Sequence, residues 1–225
     1  MHETGEGASS GKSWLRQQGL SRRIGLAYAV LFSIIVAAQV TAVVRRVPIA
    51  DVVRDIVEVT GASAYTGFLS QVGLFLWSAT AAVCFVAYQV IRDTDRSRAP
   101  RFLLTSSVLT TILLIDDAFT VHDRLLPHLG MPALAVYTIY GLVLLAYLSR
   151  FREPIASAPK LLLLLALTFG AGAGILDVMD HTGITIVAET GMKFMGLGSW
   201  LLYFGQFSIL LLRNRHSDEY ARDAG

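Results

Sequence analysis

Charge is scarce in this chain. Only 16% of its 225 residues are Asp, Glu, Lys or Arg, against about 25% in an ordinary water-soluble domain. That shortfall excludes a normally solvated surface. It also excludes disorder and nucleic-acid binding as a main role, because both draw on dense charge. The isoelectric point near 8.8 reflects only a small excess of Arg over acid. Cysteine is nearly absent: Cys84 stands alone inside an apolar run. No internal disulfide forms, and no cysteine-based metal site exists. There is no low-complexity tract and no linker to a second domain.

Hydrocarbon fills the sequence instead. Hydrophobic residues make up 54% of it, and the mean hydropathy is +0.55. Six apolar stretches reach or approach the roughly 20 residues a helix needs to cross a bilayer: residues 24–44, 66–91, 102–122, 132–149, 161–181 and 184–212. Runs without dyad alternation select helices over a closed barrel. The expected fold class is an all-α polytopic membrane bundle of six transmembrane helices over residues 21–213. Residues 1–20 and 214–225 read as mobile polar tails. The first stretch exceeds a signal-peptide core and reads as an uncleaved span.

Basic residues set the expected orientation. Fourteen of the nineteen Lys and Arg residues, from Lys12 to Arg222, fall on the side of the N-terminus, and Arg45, Arg46, Arg54, Arg124 and Lys193 on the other. Both termini are therefore expected in the cytoplasm, with the protein in a cell membrane, either a bacterial-type inner membrane or a plasma membrane. In the first outer loop Pro48 can start a helix. Ile49, Val52, Val53 and Ile56 then recur at helical spacing. A short amphipathic helix is expected over residues 49–58, lying on the outer surface or capping the bundle.

The informative residues are the ionisable ones inside these apolar stretches, where charge is costly and turns toward partners or a wet cavity. The third stretch carries Asp116, Asp117, His122 and Asp123; the fifth ends with Asp177, Asp180 and His181; the sixth begins with Glu189 and Lys193. At about 1.5 Å per residue, Asp116 and Asp117 lie roughly 21–23 Å across the membrane, Asp177 about 24 Å and His181 about 30 Å. Lys193 and Glu189 fall at about 29 and 35 Å. Three spans thus bring acids and imidazoles to the same outer third.

Angular spacing supports convergence in part. Asp177, Asp180 and His181 share one helix face, as do Asp116 and Asp123. Glu189 and Lys193, four apart, are placed to pair. Asp117 and His122 point elsewhere on an ideal helix and join only if the chain unwinds near Phe119–Asp123, close to Pro127. A lone acid near a helix end is ordinarily interfacial or capping, and Asp123, Asp180 and Glu189 each admit that reading. The deep adjacent pair Asp116–Asp117 needs partners. Tyr137, Tyr140, Trp77, Trp200 and Tyr203 read as packing or interface anchors. Gly170 and Gly174 form a small-xxx-small pair suited to close helix approach.

Carboxylates with imidazole and no thiol are ligands for a divalent metal: zinc, manganese or iron. The expected ligands are Asp116, His122, Asp123, Asp177, His181 and Glu189, with Asp117 and Asp180 as catalytic acids or bases. The set resembles, in chemistry, the membrane hydrolase superfamily that contains the alkaline ceramidases and the progestin/adiponectin-type receptors. The H-x-x-x-H and S-x-x-x-H spacings of that superfamily do not occur here. Lys193 lies too near the membrane edge for a retinal lysine.

Three functions fit these residues. One is a metal-dependent hydrolase acting on a lipid or amphiphile from the outer leaflet. Another is a cation or proton transporter or channel, which needs a polar path to the cytoplasmic side. The third is a non-enzymatic membrane partner or sensor with a structural ion. The bilayer is the expected partner, no nucleic acid is, and a homo-oligomer is compatible with all three.

Overall fold

The computed structural model describes residues 6–63, 65–93, 95, 97–158, 160–179 and 183–223. Among the described residues every regular element is a helix. The chain divides into two units, Met1–Thr66 and Gly67–Gly225.

The first unit opens with the long helix α1, Glu6–Arg45, whose stretch Tyr28–Arg45 is long and apolar enough to cross a membrane. The helix stops where Arg46 enters the left-handed region at φ 54°. The Val47 amide then reaches back to the Ala42 carbonyl at 2.9 Å, and Pro48 follows. Two short helices come next, α2 (Ile49–Val53) and α3 (Ile56–Thr60). The single helix expected over residues 49–58 is therefore broken. The reason is Asp55, whose side chain accepts from the Val57 amide at 2.8 Å and caps a new helix.

The second unit holds α4 (Phe68–Ile91), α5 (Ala99–Ala118), a π-helical turn (Val121–Leu125), α6 (Leu126–His128), α7 (Ala133–Arg150), α8 (Arg152–Ala156), α9 (Lys160–Val178) and α10 (Gly183–Asp223). Pro100 in the first turn of α5 and Pro132 immediately before α7 occupy positions where a missing amide hydrogen costs nothing. Spans of membrane-crossing length lie in α4, α5, α9 and α10, and with α1 they make the chain a multi-pass membrane protein. The fourth expected stretch forms α7, whose apolar part is shorter. Helical backbone also covers much of the sequence read as tails, since α1 begins at Glu6 and α10 runs to Asp223.

Helix α10 packs along α9 and α4, α4 packs along α5, and α7 touches α9 and the π-helical turn. The end of this unit that carries the basic loops is dry and aromatic. Phe102, fully buried, meets the rings of Tyr147, Phe151, Phe204 and Phe207 at 5.2–5.7 Å. Hydroxyls in the third stretch tie helices together, as expected in lipid. Ser106 bonds the Tyr147 hydroxyl at 2.6 Å, Ser107 donates to the Ala81 carbonyl at 2.9 Å, and the Trp200 indole donates to Thr110 at 3.2 Å.

Helices α9 and α10 approach at their backbones. A Cβ on Gly196 would lie 3.2 Å from the Gly170 nitrogen and 3.5 Å from the Ala166 carbonyl oxygen. Neither backbone can yield as a flexible side chain would. Gly196→Leu is expected to destabilise the bundle by about 1–3 kcal/mol, the usual cost of overpacking. Gly191→Ala, which meets open space, should be nearly neutral. Cys84 is fully buried, so a thiol-reactive dye in detergent reads both melting curves.

Candidate functional site

The site begins with the way α5 ends. Its last residue is Ala118, and the Phe119 amide closes it onto the Ile115 carbonyl at 3.0 Å. Thr120 then takes a left-handed conformation at φ 48°, which costs a β-branched residue roughly 1–2 kcal/mol. The chain next winds into the π-helical turn Val121–Leu125. On an unbroken helix His122 would point about 120° away from Asp116. The break swings it round. The His122 amide donates to Asp116 Oδ1 at 2.9 Å, and its Nδ1 lies 2.7 Å from Oδ2. One buried carboxylate thus holds both the backbone and the ring of the same residue.

With Nδ1 facing Asp116, the other ring nitrogen is left for new partners. Nε2 lies 3.2 Å from Asp123 Oδ1. Asp177, the penultimate residue of α9, completes the group. One ligand atom from each of His122, Asp123 and Asp177 lies within 4.8 Å of the others. Helix α7 supplies two phenols one turn apart. Tyr137 donates its hydroxyl to Asp177 Oδ2, and the Tyr140 hydroxyl is directed at Asp116. Both rings stand edge-on to the imidazole, at 6.0 and 6.5 Å between centroids. The group grades from closed to open: the side chain of Asp116 is 10% exposed, that of His122 16% and that of Asp123 47%.

Charge follows this geometry. The Asp116 carboxylate pushes the His122 imidazole above its ordinary range, against the opposing effect of burial. Burial pushes the Asp123 carboxyl up, and the nearby Asp177 charge acts in the same direction while His122 opposes it.

The expected site residues divide into four groups. Asp116, His122, Asp123 and Asp177 come together around one imidazole, with Asp116 behind the ring instead of beside the other two carboxylates. Asp117 turns the other way and pairs with Lys193 of α10. The cross-helix partner arises because Asp117 is almost as buried as Asp116, and Lys193 reaches it from the facing helix. Glu189 lies close enough for its charge to act on Tyr137. Asp180 and His181 fall outside the described residues. Tyr137 and Tyr140 were not among the expected site residues. Their i, i+3 spacing in the outer turns of α7, level with the carboxylates, is the signal that marks them.

The donor set fits a small divalent cation. Donors bound at about 2.0–2.2 Å stand roughly 3.4 Å apart in a tetrahedral shell, so the three residues need close in only modestly. A cation also offsets the repulsion between the Asp123 and Asp177 charges. A carboxylate on the far nitrogen is the usual arrangement behind a ligating histidine.

In the metal-free protein both raised groups act in one direction. The folded state binds their protons more tightly than the unfolded chain. Their stabilisation is complete below the unfolded values, near 3.8 for Asp123 and 6.5 for His122, and is lost as pH rises through the folded ones. The melting temperature in chelator is expected to fall as pH rises above about 6.5, with His122→Gln flattening that part of the profile.

No curated protein and no solved structure matches the chain. The chain belongs to the family described as Domain of unknown function (DUF8692), which matches residues 26–207 and so takes in both membrane units and the whole of this site.

Proposed function

We propose that this is a six-span cell-membrane protein, in a bacterial-type inner membrane or a plasma membrane, that holds a divalent metal and hydrolyses a lipid or amphiphile at its outer face. Helix α7 serves as the sixth span. It is short for a bilayer, a mismatch that local thinning of the lipid accommodates. The distribution of Lys and Arg supports cytoplasmic termini. The observation that carries the reading is the carboxylate–imidazole–dicarboxylate array of Asp116, His122, Asp123 and Asp177.

His122 Nε2, Asp123 and Asp177 would hold the ion, leaving a position open as hydrolytic metal sites require. Bound there, zinc, manganese or iron would supply Lewis acidity and lower the pKa of water toward neutral, as hydrolysis of an ester or amide requires. Asp116 would fix the imidazole tautomer with its proton on Nδ1. Asp123, the most exposed of the carboxylates, would hold the ion through one oxygen and offer the other to a proton. Asp117, paired with Lys193, braces α5 against α10.

Two features favour an amphiphile over a soluble substrate or a transported ion. The connection that carries the ligands also exposes Phe119, Leu125 and Leu129, each with at least 52% of its surface free. Such side chains beside a polar centre suit the boundary between acyl chains and headgroups. The opposite half of the bundle is filled by Phe102, Tyr203, Phe204 and Phe207, all at most 2% exposed. That packing favours a one-sided centre over a path across the membrane.

Detergent-purified protein should retain about one divalent ion per chain, and His122→Ala and Asp177→Asn should lose it, with activity on ester or amide amphiphiles falling at least tenfold. Zinc should raise the melting temperature more at pH 8 than at pH 6, because binding requires a neutral imidazole. A protein that takes up none of the three metals, with hydrolysis indifferent to chelators, would end this reading. Ion flux in liposomes abolished by Asp116→Asn would replace it with transport.

A further inference from the structure

Helix α7 contributes no ligand to the proposed centre, yet it touches both ends of the array. We infer that Tyr137, seated on Gly174, is a positioning residue that sets the carboxylate of Asp177 for metal binding. The inference rests on the metal reading above and adds to it a role for two residues outside the ligand set.

Three observations support it. The Tyr137 hydroxyl donates to Asp177 Oδ2. That bond holds one oxygen of the carboxylate, and the metal reading assigns the ion to the other, Oδ1, as a one-oxygen ligand. Gly174 and Asp177 are one turn apart on the same face of α9. The ring of Tyr137 crosses that face at Gly174: a Cβ there would stand 3.4 Å from Cε1 and 3.6 Å from Cδ1. A Cβ alone would make ordinary contact with the ring, but any longer side chain would lift it, and the height of the ring decides whether the hydroxyl reaches Asp177. The requirement at Gly174 is one of space, since its helical backbone suits any residue.

The energetic logic is that of the groups behind a metal's ligands. A carboxylate free to rotate must be ordered when the ion arrives, whereas one already held by a hydroxyl is not. Removing such a supporting hydrogen bond typically weakens metal affinity 10–100-fold. The bond also ties down the outer end of α7, whose inner end is held by Tyr147 on Ser106 and Phe102. Tyr140 stands close enough to Asp116 for the carboxylate to act on its hydroxyl, so α7 faces the carboxylates of both α9 and α5.

The test is a double-mutant cycle on full-length protein in detergent, with zinc and manganese affinities measured by competition against a chelating indicator. Tyr137→Phe keeps the ring and should weaken both metals about tenfold or more. Gly174→Leu lifts the ring and should also weaken them. In the Tyr137→Phe background Gly174→Leu should cost nothing further, because no hydroxyl remains to be displaced. Far-ultraviolet circular dichroism and the elution profile in detergent should match wild type in all three, which separates positioning from a general loss of structure.

If wild-type protein binds metal and Tyr137→Phe binds it equally well, the inference is wrong and the metal reading stands. Additive losses in the cycle also overturn it, since Gly174 would then act by another route. If wild-type protein binds no metal, both fall together. Should Tyr137→Phe fail to survive purification, Gly174→Leu, which retains every polar group, carries the same test: unchanged affinity there refutes the role of the ring.

Discussion

One contact organises this protein's polar end: the two-point grip of Asp116 on His122. The carboxylate binds the amide and the imidazole of a residue six positions further on. An α-helix cannot supply that geometry, so the helix must stop. It does so through a left-handed threonine and a π-helical turn, both costly in isolation. A buried carboxylate without donors would cost more. The charge that looks hardest to tolerate is therefore what makes the unusual backbone favourable. Local strain and a buried acid offset one another, and the imidazole is left with one nitrogen turned toward two further carboxylates.

The rest of the second unit can be understood as two ends with different solvents in mind. Along α5, Phe102 and Asp116 are separated by roughly 21 Å of helix. Around Phe102 the helices meet through rings, with a few hydroxyls satisfied across the interface. Around Asp116 they meet through ions and phenols. Lipid gives little hydrophobic drive to helix association, so specificity comes from close packing and polar ties. Gly196 allows the close packing of α9 with α10, and Asp117–Lys193 ties α5 to α10. The same interactions that hold the bundle together also fix how far apart the carboxylate-bearing helices stand.

Much of this was legible in the sequence. The apolar runs announced the helices, and the common depth of Asp116, Asp177 and Glu189 announced a polar layer. The need for unwinding near Phe119–Asp123 followed from the angular mismatch of His122 with Asp116. Three things were not legible, for physical reasons. The break between α2 and α3 turns on one side-chain cap at Asp55, which periodicity does not see. The choice of Asp117 as partner for Lys193, beside an i, i+4 glutamate, depends on which way α5 and α10 face each other. The phenols of Tyr137 and Tyr140 look like interface anchors until the turn between α5 and α7 is known. In each case the deciding quantity is an orientation set by a neighbouring helix.

Helix α7 shows why such orientations matter for function. Its apolar stretch is short for a bilayer, and its inner end is held by Tyr147, which stacks on Phe102 and bonds Ser106. In water a helix could be held by burying an oily face, but in lipid its oily face gains little by leaving the acyl chains. At the outer end what recommends the docked position is polar: a hydroxyl that would otherwise lie among hydrocarbon finds a carboxylate, and the carboxylate finds a donor. Docking and site assembly are then one event. An ion that prefers the assembled carboxylates must also favour a docked α7, by the same free energy. The helix that contributes no ligand is for that reason the element through which the centre and the fold are most directly coupled.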